Sequence, residues 1–137
     1  MSTNTLAGTK VFIVEDNSAN LSIAATVLRE AGATVIFDVI GFNPVEQLQQ
    51  FPHMDIILLD LNLRDGTSGF DIYDQIKVRP ELAHVPVIAV SAVDPSMGIP
   101  EARQRGFNGF IGKPINITLF PKQIATVISG TEVWYAR

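Results

Sequence analysis

The residues best suited to chemistry in this sequence are polar side chains that directly follow, or stand at the end of, short apolar runs. They are Glu15, Asp16, Asp60, Ser91 and Lys113. Three carboxylates brought close together repel one another unless a cation neutralises them. An oxygen-rich set with one hydroxyl and one ammonium group suits Mg²⁺, which keeps several water ligands and takes few carboxylates from a protein.

The same set suits phosphorus chemistry. A carboxylate beside a metal ion and an ammonium group can act as a nucleophile toward phosphorus, which gives an aspartyl phosphate. Phosphoryl transfer depends mainly on positioning and charge neutralisation, and this set supplies both without a histidine. A purely structural explanation of Glu15-Asp16 as a solvated helix start is open, because acids stabilise helix starts, but it is the minor one because Asn17 or Ser18 already offers a cap. A structural explanation is weak for Asp60, because an unpaired acid directly after Ile56-Ile57-Leu58-Leu59 is costly.

These side chains meet only if the apolar runs form neighbouring strands. Continuous rather than alternating apolar runs favour strands that are buried on both faces of a parallel sheet. We predict five strands, at Val11–Val14, Thr34–Phe37, Ile56–Leu59, Val87–Val90 and Phe110–Ile111. Ligands gather at the carboxyl ends of such strands, so the polar side chains are expected at one edge of the sheet.

Segments with helical spacing lie between the strands. They contain Leu21, Ala24, Ala25 and Leu28 before Gly32, then Ile72, Tyr73 and Ile76 before Pro80, and finally Ile117, Phe120, Ile124, Val127 and Ile128. The alternation predicts an α/β fold, a doubly wound five-stranded parallel sheet flanked by helices. We assign the domain to residues 10–130, with an N-terminal extension over 1–9 and a C-terminal tail over 131–137.

The composition excludes several classes of protein. A length of 137 residues with 47% hydrophobic residues fits one domain with a real core. The sequence has no cysteine and two histidines, which excludes disulfide scaffolds and makes a zinc site untenable. The net charge of −4 argues against nucleic-acid binding. No apolar run is long enough to insert into a membrane and no signal peptide is recognisable, so a cytoplasmic location is expected.

Four motifs occur in order along the chain. They are Val11-Phe12-Ile13-Val14-Glu15-Asp16-Asn17, Leu58-Leu59-Asp60-Leu61-Asn62, Ser91-Ala92 and Phe110-Ile111-Gly112-Lys113-Pro114. Each motif alone is weak, but together they are specific, and the chain resembles the receiver domain of two-component response regulators. The resemblance runs from about Lys10 to Ser129 and implies a flavodoxin-like receiver fold.

The resemblance implies a phospho-acceptor and a metal site. Asp60 would accept the phosphoryl group. Mg²⁺ would be held by the carboxylates of Asp16 and Asp60, by the backbone carbonyl of Asn62 and, through water, by Glu15. The donor would be a histidine kinase or a histidine phosphotransfer protein, and the downstream protein partner is left open.

The resemblance also implies a switch. Lys113 would pair with one phosphoryl oxygen, and the Ser91 hydroxyl would bond another after modification. Phe110 would change its rotamer with Ser91, which converts a local change of charge into a change of surface. The small Ala92 would leave the approach to Asp60 open, and the Lys113-Pro114 bond is expected to be cis.

Two segments depart from the family pattern. Arg64 stands where a proline is common, and the loop before Gly69 is one residue longer than usual. Pro95, Gly98 and Pro100 fall where the family has its fourth helix. Because a proline inside a helix removes a hydrogen bond and clashes with the preceding turn, we expect that helix to begin near Pro100 or to start as an irregular loop.

The leading hypothesis is therefore a single-domain response regulator that switches protein contacts and is not an enzyme, apart from slow hydrolysis of its own acyl phosphate. The alternative within the same fold is a degenerate receiver that serves as a constitutive docking module. A flavin or nucleotide carrier is disfavoured because Glu15-Asp16-Asn17 would repel phosphate where such proteins have a glycine-rich loop. A phosphatase is disfavoured because Asn62 cannot serve as its acid or base.

Overall fold

The computed structural model describes residues 4–37, 43–51, 53–63 and 66–136. Strands and helices alternate along this part of the chain. In chain order the elements are β1 (Lys10–Val14), α1 (Ser18–Glu30), β2 (Thr34–Phe37), α2 (Pro44–Gln49), β3 (Ile56–Leu59), α3 (Gly69–Lys77), β4 (Val87–Ser91), α4 (Pro95–Arg105), β5 (Gly109–Gly112), α5 (Phe120–Ile128) and β6 (Val133–Tyr135). No helix within the described ranges combines the length and the apolar character needed to cross a bilayer.

The strands form one sheet in the order β2-β1-β3-β4-β5-β6, and each neighbouring pair is parallel. The predicted parallel α/β fold is confirmed, and the sheet has one strand more than the five predicted. The additional strand, β6, comes from the segment assigned as the tail. Within this segment, Trp134 and Tyr135 pair with Phe110 and Ile111 of β5.

Helices cover both faces of the sheet. Phe12 and Ile57 are fully buried against residues of α2, α3 and α4 on one side. Ile13 and Leu58 are buried against α1 and α5 on the other side. Both faces of the central strands are therefore apolar, which explains why these strands appear in the sequence as continuous apolar runs.

The ends of α1 follow local capping rules, whereas the start of the last helix differs from the sequence prediction. The side chain of Asn17 accepts a hydrogen bond from the backbone N–H of Asn20 at the start of α1, and Gly32 beyond its end has a φ of 102°. The last helix begins at Phe120, so Ile117 lies outside it. The Asn116 side chain accepts from the backbone N–H of Leu119 and holds residues 117–119 in a turn.

The prediction for the fourth helix was wrong, because α4 is continuous over Pro95–Arg105 with Pro100 inside it. Asp94 caps the helix by accepting from the backbone N–H of Ser96 at 3.0 Å. Gly98 and Ala102 are buried against the sheet. We attribute the tolerance of Pro100 to this packing, because tertiary contacts override local propensity when a helix face is buried.

Candidate functional site

The sheet brings the predicted polar side chains to one edge. Because β1, β3, β4 and β5 are parallel neighbours, their carboxyl ends lie side by side. Glu15 and Asp16 follow β1, Asp60 follows β3, Ser91 ends β4 and Lys113 follows β5. All five line one open cleft of about 380 Å³.

Asp60 is the buried centre of this cleft, with 7% of its surface exposed. Its Oδ1 accepts hydrogen bonds from the Ser91 hydroxyl at 2.9 Å and from the Asn62 backbone N–H at 3.2 Å. Its Oδ2 lies 3.2 Å from Nζ of Lys113. Each carboxylate oxygen is therefore held by a donor, which offsets the cost of burying the charge.

Gly69, the first residue of α3, lets this helix approach Asp60 closely. A β-carbon placed on Gly69 would lie 2.2 Å from the Asp60 carbonyl oxygen, which is far inside contact distance. The Gly69 N–H donates to the carbonyl of Leu61 at 3.0 Å. Only glycine fits here. Arg64, in the same loop, lies outside the described residues.

Lys113 connects two of the acids across the cleft. Its ammonium group donates to Oε1 of Glu15 and to Oδ2 of Asp60, and only 11% of its side chain is exposed. The backbone N–H of Lys113 donates to the carbonyl of Ser91 at 2.9 Å. The Lys113-Pro114 bond is cis, as the resemblance implied.

Glu15 is more buried than its position after β1 indicates, with 7% of its side chain exposed. Burial raises the pKa of Glu15 above its ordinary value of 4.5. Hydrogen bonds from Lys113 and from the Asn17 backbone N–H, 3.1 Å from Oε2, act in the opposite direction. The folded protein therefore holds a proton on Glu15 more tightly than an exposed glutamate does.

The acids also lie close enough together for one cation to contact all three. One carboxylate oxygen from each of Glu15, Asp16 and Asp60 lies within 4.8 Å of the others. These donors are all oxygen atoms, which hard cations prefer to the nitrogen and sulfur ligands of zinc. Asn62 lines the same cleft. His53 and His84 are both exposed and line neither this cleft nor the cavity described below.

Ser91 links the cleft to the interior. Its hydroxyl donates to Asp60 and also accepts the backbone N–H of Val93 at 3.3 Å. Phe110 is fully buried, and its ring lies against Gly98 of α4. A β-carbon on Gly98 would lie 2.9 Å from Cε2 of this ring. The sequence prediction missed the contacts of Val93 and Gly98, because a backbone N–H and a missing side chain leave no motif.

An apolar cavity of about 180 Å³ adjoins the cleft between α1 and the segment before α5. Asp60 and Lys113 contribute to its wall, and the remaining wall is mostly aliphatic. Two large apolar side chains on its lining are exposed to solvent: Ile23 of α1 (49%) and Ile117 (62%).

Comparison with known proteins identifies the family. Residues 11–125 match the response regulator receiver domain. The chain belongs to this family. Among its relatives is the polar-differentiation response regulator DivK of Brucella ovis, 31% identical over 118 residues, which span 86% of this chain and 94% of DivK. A DivK of Brucella anthropi is 30% identical over the same lengths.

Solved receiver structures agree with the fold. The receiver domain of sensor histidine kinase PA1611 from Pseudomonas aeruginosa PAO1 has a TM-score of 0.78 and 26% identity, over 90% of this chain and all of that domain. That structure has a magnesium ion coordinated in its active-site cleft. Chemotaxis response regulator CheY4 of Vibrio cholerae has a TM-score of 0.74 and 21% identity, over 87% of this chain and 98% of CheY4, and supports the fold alone.

Proposed function

We propose that Asp60 accepts a phosphoryl group from the phosphohistidine of a histidine kinase or histidine phosphotransfer protein. A carboxylate oxygen of Asp60 forms the new bond to phosphorus while the N–P bond to the donor histidine breaks. The acyl phosphate then alters the surface that a partner protein recognises. The observation that carries this proposal is the buried Asp60, held by Ser91 and Lys113 at the base of an open cleft.

The neighbours of Asp60 have distinct roles in this proposal. Lys113 already contacts Oδ2 and can follow the added negative charge onto a phosphoryl oxygen. The Ser91 hydroxyl, now donating to Oδ1, can transfer its hydrogen bond to another phosphoryl oxygen. Ala92 is exposed beside the cleft and is too small to obstruct a donor.

Mg²⁺ fits the donor atoms present. The three carboxylates and the ammonium group of Lys113 together carry a formal charge of −2, which a divalent cation balances. Asp16 and Asp60 would hold the ion directly, Asn62 through its carbonyl and Glu15 through water. The ion would neutralise charge that develops on the transferring phosphoryl group. The magnesium site in the PA1611 receiver supports this choice of metal.

The alternative, a degenerate receiver that docks constitutively, loses its main support. It drew on an interrupted fourth helix, whereas α4 is continuous from Pro95 to Arg105. The cleft also keeps a full set of contacts around Asp60. A chain that served only as a docking surface would not need this buried arrangement of charges.

The test is intact mass after incubation with acetyl phosphate, with and without Mg²⁺. We expect the native chain to gain the mass of one phosphoryl group only when Mg²⁺ is present, and to lose it slowly by hydrolysis. Asp60→Asn should gain nothing. Asp55→Asn is the matched control, because Asp55 precedes β3 at the opposite edge of the sheet, where it accepts the N–H of Lys10.

Two results would contradict the proposal. One is a phosphoryl adduct of equal yield on Asp60→Asn. The other is the absence of any adduct on the native chain with acetyl phosphate and Mg²⁺, which would favour constitutive docking instead.

A further inference from the structure

The strand β6 covers an edge that the predicted five-stranded sheet would leave open. It pairs with β5 in a parallel register that places Val133 beside Gly109 and Trp134 beside Phe110. A β-carbon on Gly109 would lie 2.4 Å from the carbonyl oxygen of Val133, and one on Gly112 would lie 3.2 Å from that of Ala136. The glycines of β5 therefore make the close approach of β6 possible.

A chain of contacts begins at Asp60 and reaches α4. The Ser91 hydroxyl donates to Asp60 and accepts from the Val93 N–H. The Val93 side chain in turn lies against Gly98, whose missing β-carbon would be 3.4 Å from Cγ1 of Val93. Gly98 also accommodates the ring of Phe110. A change in the hydrogen bonds of Ser91 therefore acts on the first half of α4.

The second half of α4 contacts β6. The guanidinium carbon of Arg103 lies 4.6 Å from the centre of the Trp134 ring, in a cation–π contact. Trp134 is half-buried and packs on the same side of the sheet as Phe110. The indole N–H of Trp134 donates to Oε1 of Glu132 within the same short segment. The contact between Arg103 and Trp134 therefore links α4 to β6 through side chains.

We infer that β6 is a latch that phosphorylation of Asp60 loosens. This inference rests on the proposed function and adds a responding element to it. The oxygens of an acyl phosphate lie beyond the Asp60 carboxylate and are stronger acceptors, so the Ser91 hydroxyl turns toward them. This rotation of the Ser91 side chain carries Oγ away from the Val93 N–H, which loses its acceptor. The helix α4 then shifts, and Arg103 releases Trp134. Loss of β6 exposes the backbone hydrogen-bonding groups of β5 to a partner.

The experiment measures hydrogen exchange in the peptide over residues 131–136, together with fluorescence of Trp134, the only tryptophan in the sequence. The full chain is treated with acetyl phosphate and Mg²⁺, and intact mass reports the adduct in the same sample. We expect exchange in this peptide to accelerate severalfold and Trp134 emission to shift to longer wavelength. Neither should change in Asp60→Asn.

Arg103→Gln tests the link itself, with Arg105→Gln as the matched control on the same helix. Arg105 contacts Asp74, Glu101 and the Phe70 ring instead of β6. We expect Arg103→Gln to show fast exchange in the β6 peptide without any phosphodonor, and Arg105→Gln to behave like the native chain.

The outcomes separate the two proposals. An adduct with unchanged exchange and unchanged fluorescence would overturn the latch and leave Asp60 as the acceptor. Equal exchange in the two arginine variants would also overturn the latch. No adduct on the native chain would overturn the proposed function and the latch together.

Discussion

At the scale of single residues, the proposed phosphorylation of Asp60 needs neighbours that neutralise its charge without blocking it. Ser91 and Lys113 each donate to one of its two oxygens, and the carboxylate lines an open cleft. Lys113 and a divalent cation are competing partners for the same acids, because both are positive and both need carboxylate oxygens. This competition gives opposite expectations for two substitutions.

Asp16→Ala should weaken Mg²⁺ binding by at least roughly tenfold, since loss of a ligand costs no less than loss of an outer-shell partner. Lys113→Ala should strengthen Mg²⁺ binding severalfold, because a positive charge leaves the acids of the cleft. We expect Lys113→Ala to fold but not to change its partner-binding surface after phosphorylation. Calorimetric titration of both variants with Mg²⁺ measures the two effects. Unaltered binding in Asp16→Ala, or weaker binding in Lys113→Ala, would contradict the assigned metal site.

The raised pKa of Glu15 predicts a pH dependence of stability. Because burial raises the folded-state pKa above 4.5, the folded protein binds this proton more tightly than the unfolded chain does. The contribution of Glu15 to the free energy of unfolding therefore falls as pH rises from 4.5 through the folded-state pKa. Glu15→Gln lacks this step.

Urea unfolding of both chains without metal, at a series of pH values, measures the difference. We expect the two stabilities to converge below pH 4.5, where Glu15 is protonated in both states. Above that pH, the free energy of unfolding of Glu15→Gln should rise relative to that of the native chain. The opposite result, a native chain that becomes more stable than Glu15→Gln over the same pH range, would contradict this prediction. It would show that the attraction between Lys113 and ionised Glu15 exceeds the cost of burying the charge.

At the scale of elements, α4 depends on its packing because Pro100 lies inside it. Gly98 packs against the ring of Phe110, and Pro100 cannot donate a backbone hydrogen bond within the helix. Gly98→Ala should lower the free energy of unfolding by about 1 kcal/mol, because the overpacking cost of about 1–3 kcal/mol exceeds the gain of roughly 1 kcal/mol in helix propensity. Denaturant unfolding gives the value.

The matched control is Gly98→Ala in a Phe110→Leu background. Leucine lacks the ring atom that lies 2.9 Å from the added β-carbon, so the same change should be neutral or stabilising there. An equal loss in both backgrounds would show that the ring is not what restricts this position.

The elements also show where sequence reasoning succeeds and fails. The central strands were predictable because burial on both faces makes them continuous apolar runs. The prediction for α4 failed because a local proline rule took no account of the packing of Gly98 and Ala102 against the sheet. The strand β6 was not predicted, and it is only three residues long. A signal was present, because Val133-Trp134-Tyr135 after Gly130 is a β-branched and aromatic run of the kind that indicates a strand.

The site was predictable for a different reason. In a parallel sheet, the residues that end the strands must meet at one edge, so the positions of Asp60, Ser91 and Lys113 followed from the order of the motifs. The hydrogen bond from Val93 to Ser91 was not predictable, because every residue has a backbone N–H and its partner depends on the tertiary structure.

At the scale of the whole molecule, access to Asp60 is flanked by the exposed side chains of Ile23 and Ile117. We propose that a protein donor buries this region. Ile23→Ser should then slow phosphotransfer from a phosphorylated histidine phosphotransfer domain roughly tenfold, for a loss of about 1.4 kcal/mol. Labelling by acetyl phosphate should not change, because a small donor needs no docking surface.

Val78→Ser is the matched control for this prediction. Val78 is 77% exposed and follows α3 at the end away from Gly69 and the cleft. Stopped phosphotransfer reactions, resolved by gel, give the rates for both variants. Equal slowing of Ile23→Ser with both donors would show that the change damages the cleft rather than the docking of the donor.

The most direct test of the central claim is to locate the phosphoryl group. Borohydride reduces an aspartyl phosphate to homoserine, and peptide mass spectrometry then identifies the residue that changed. After treatment with acetyl phosphate and Mg²⁺, we predict homoserine at position 60 of the native chain and at none of the other acids. Homoserine in place of Asp16 or another aspartate, with Asp60 intact, would contradict the assignment of Asp60 as the acceptor.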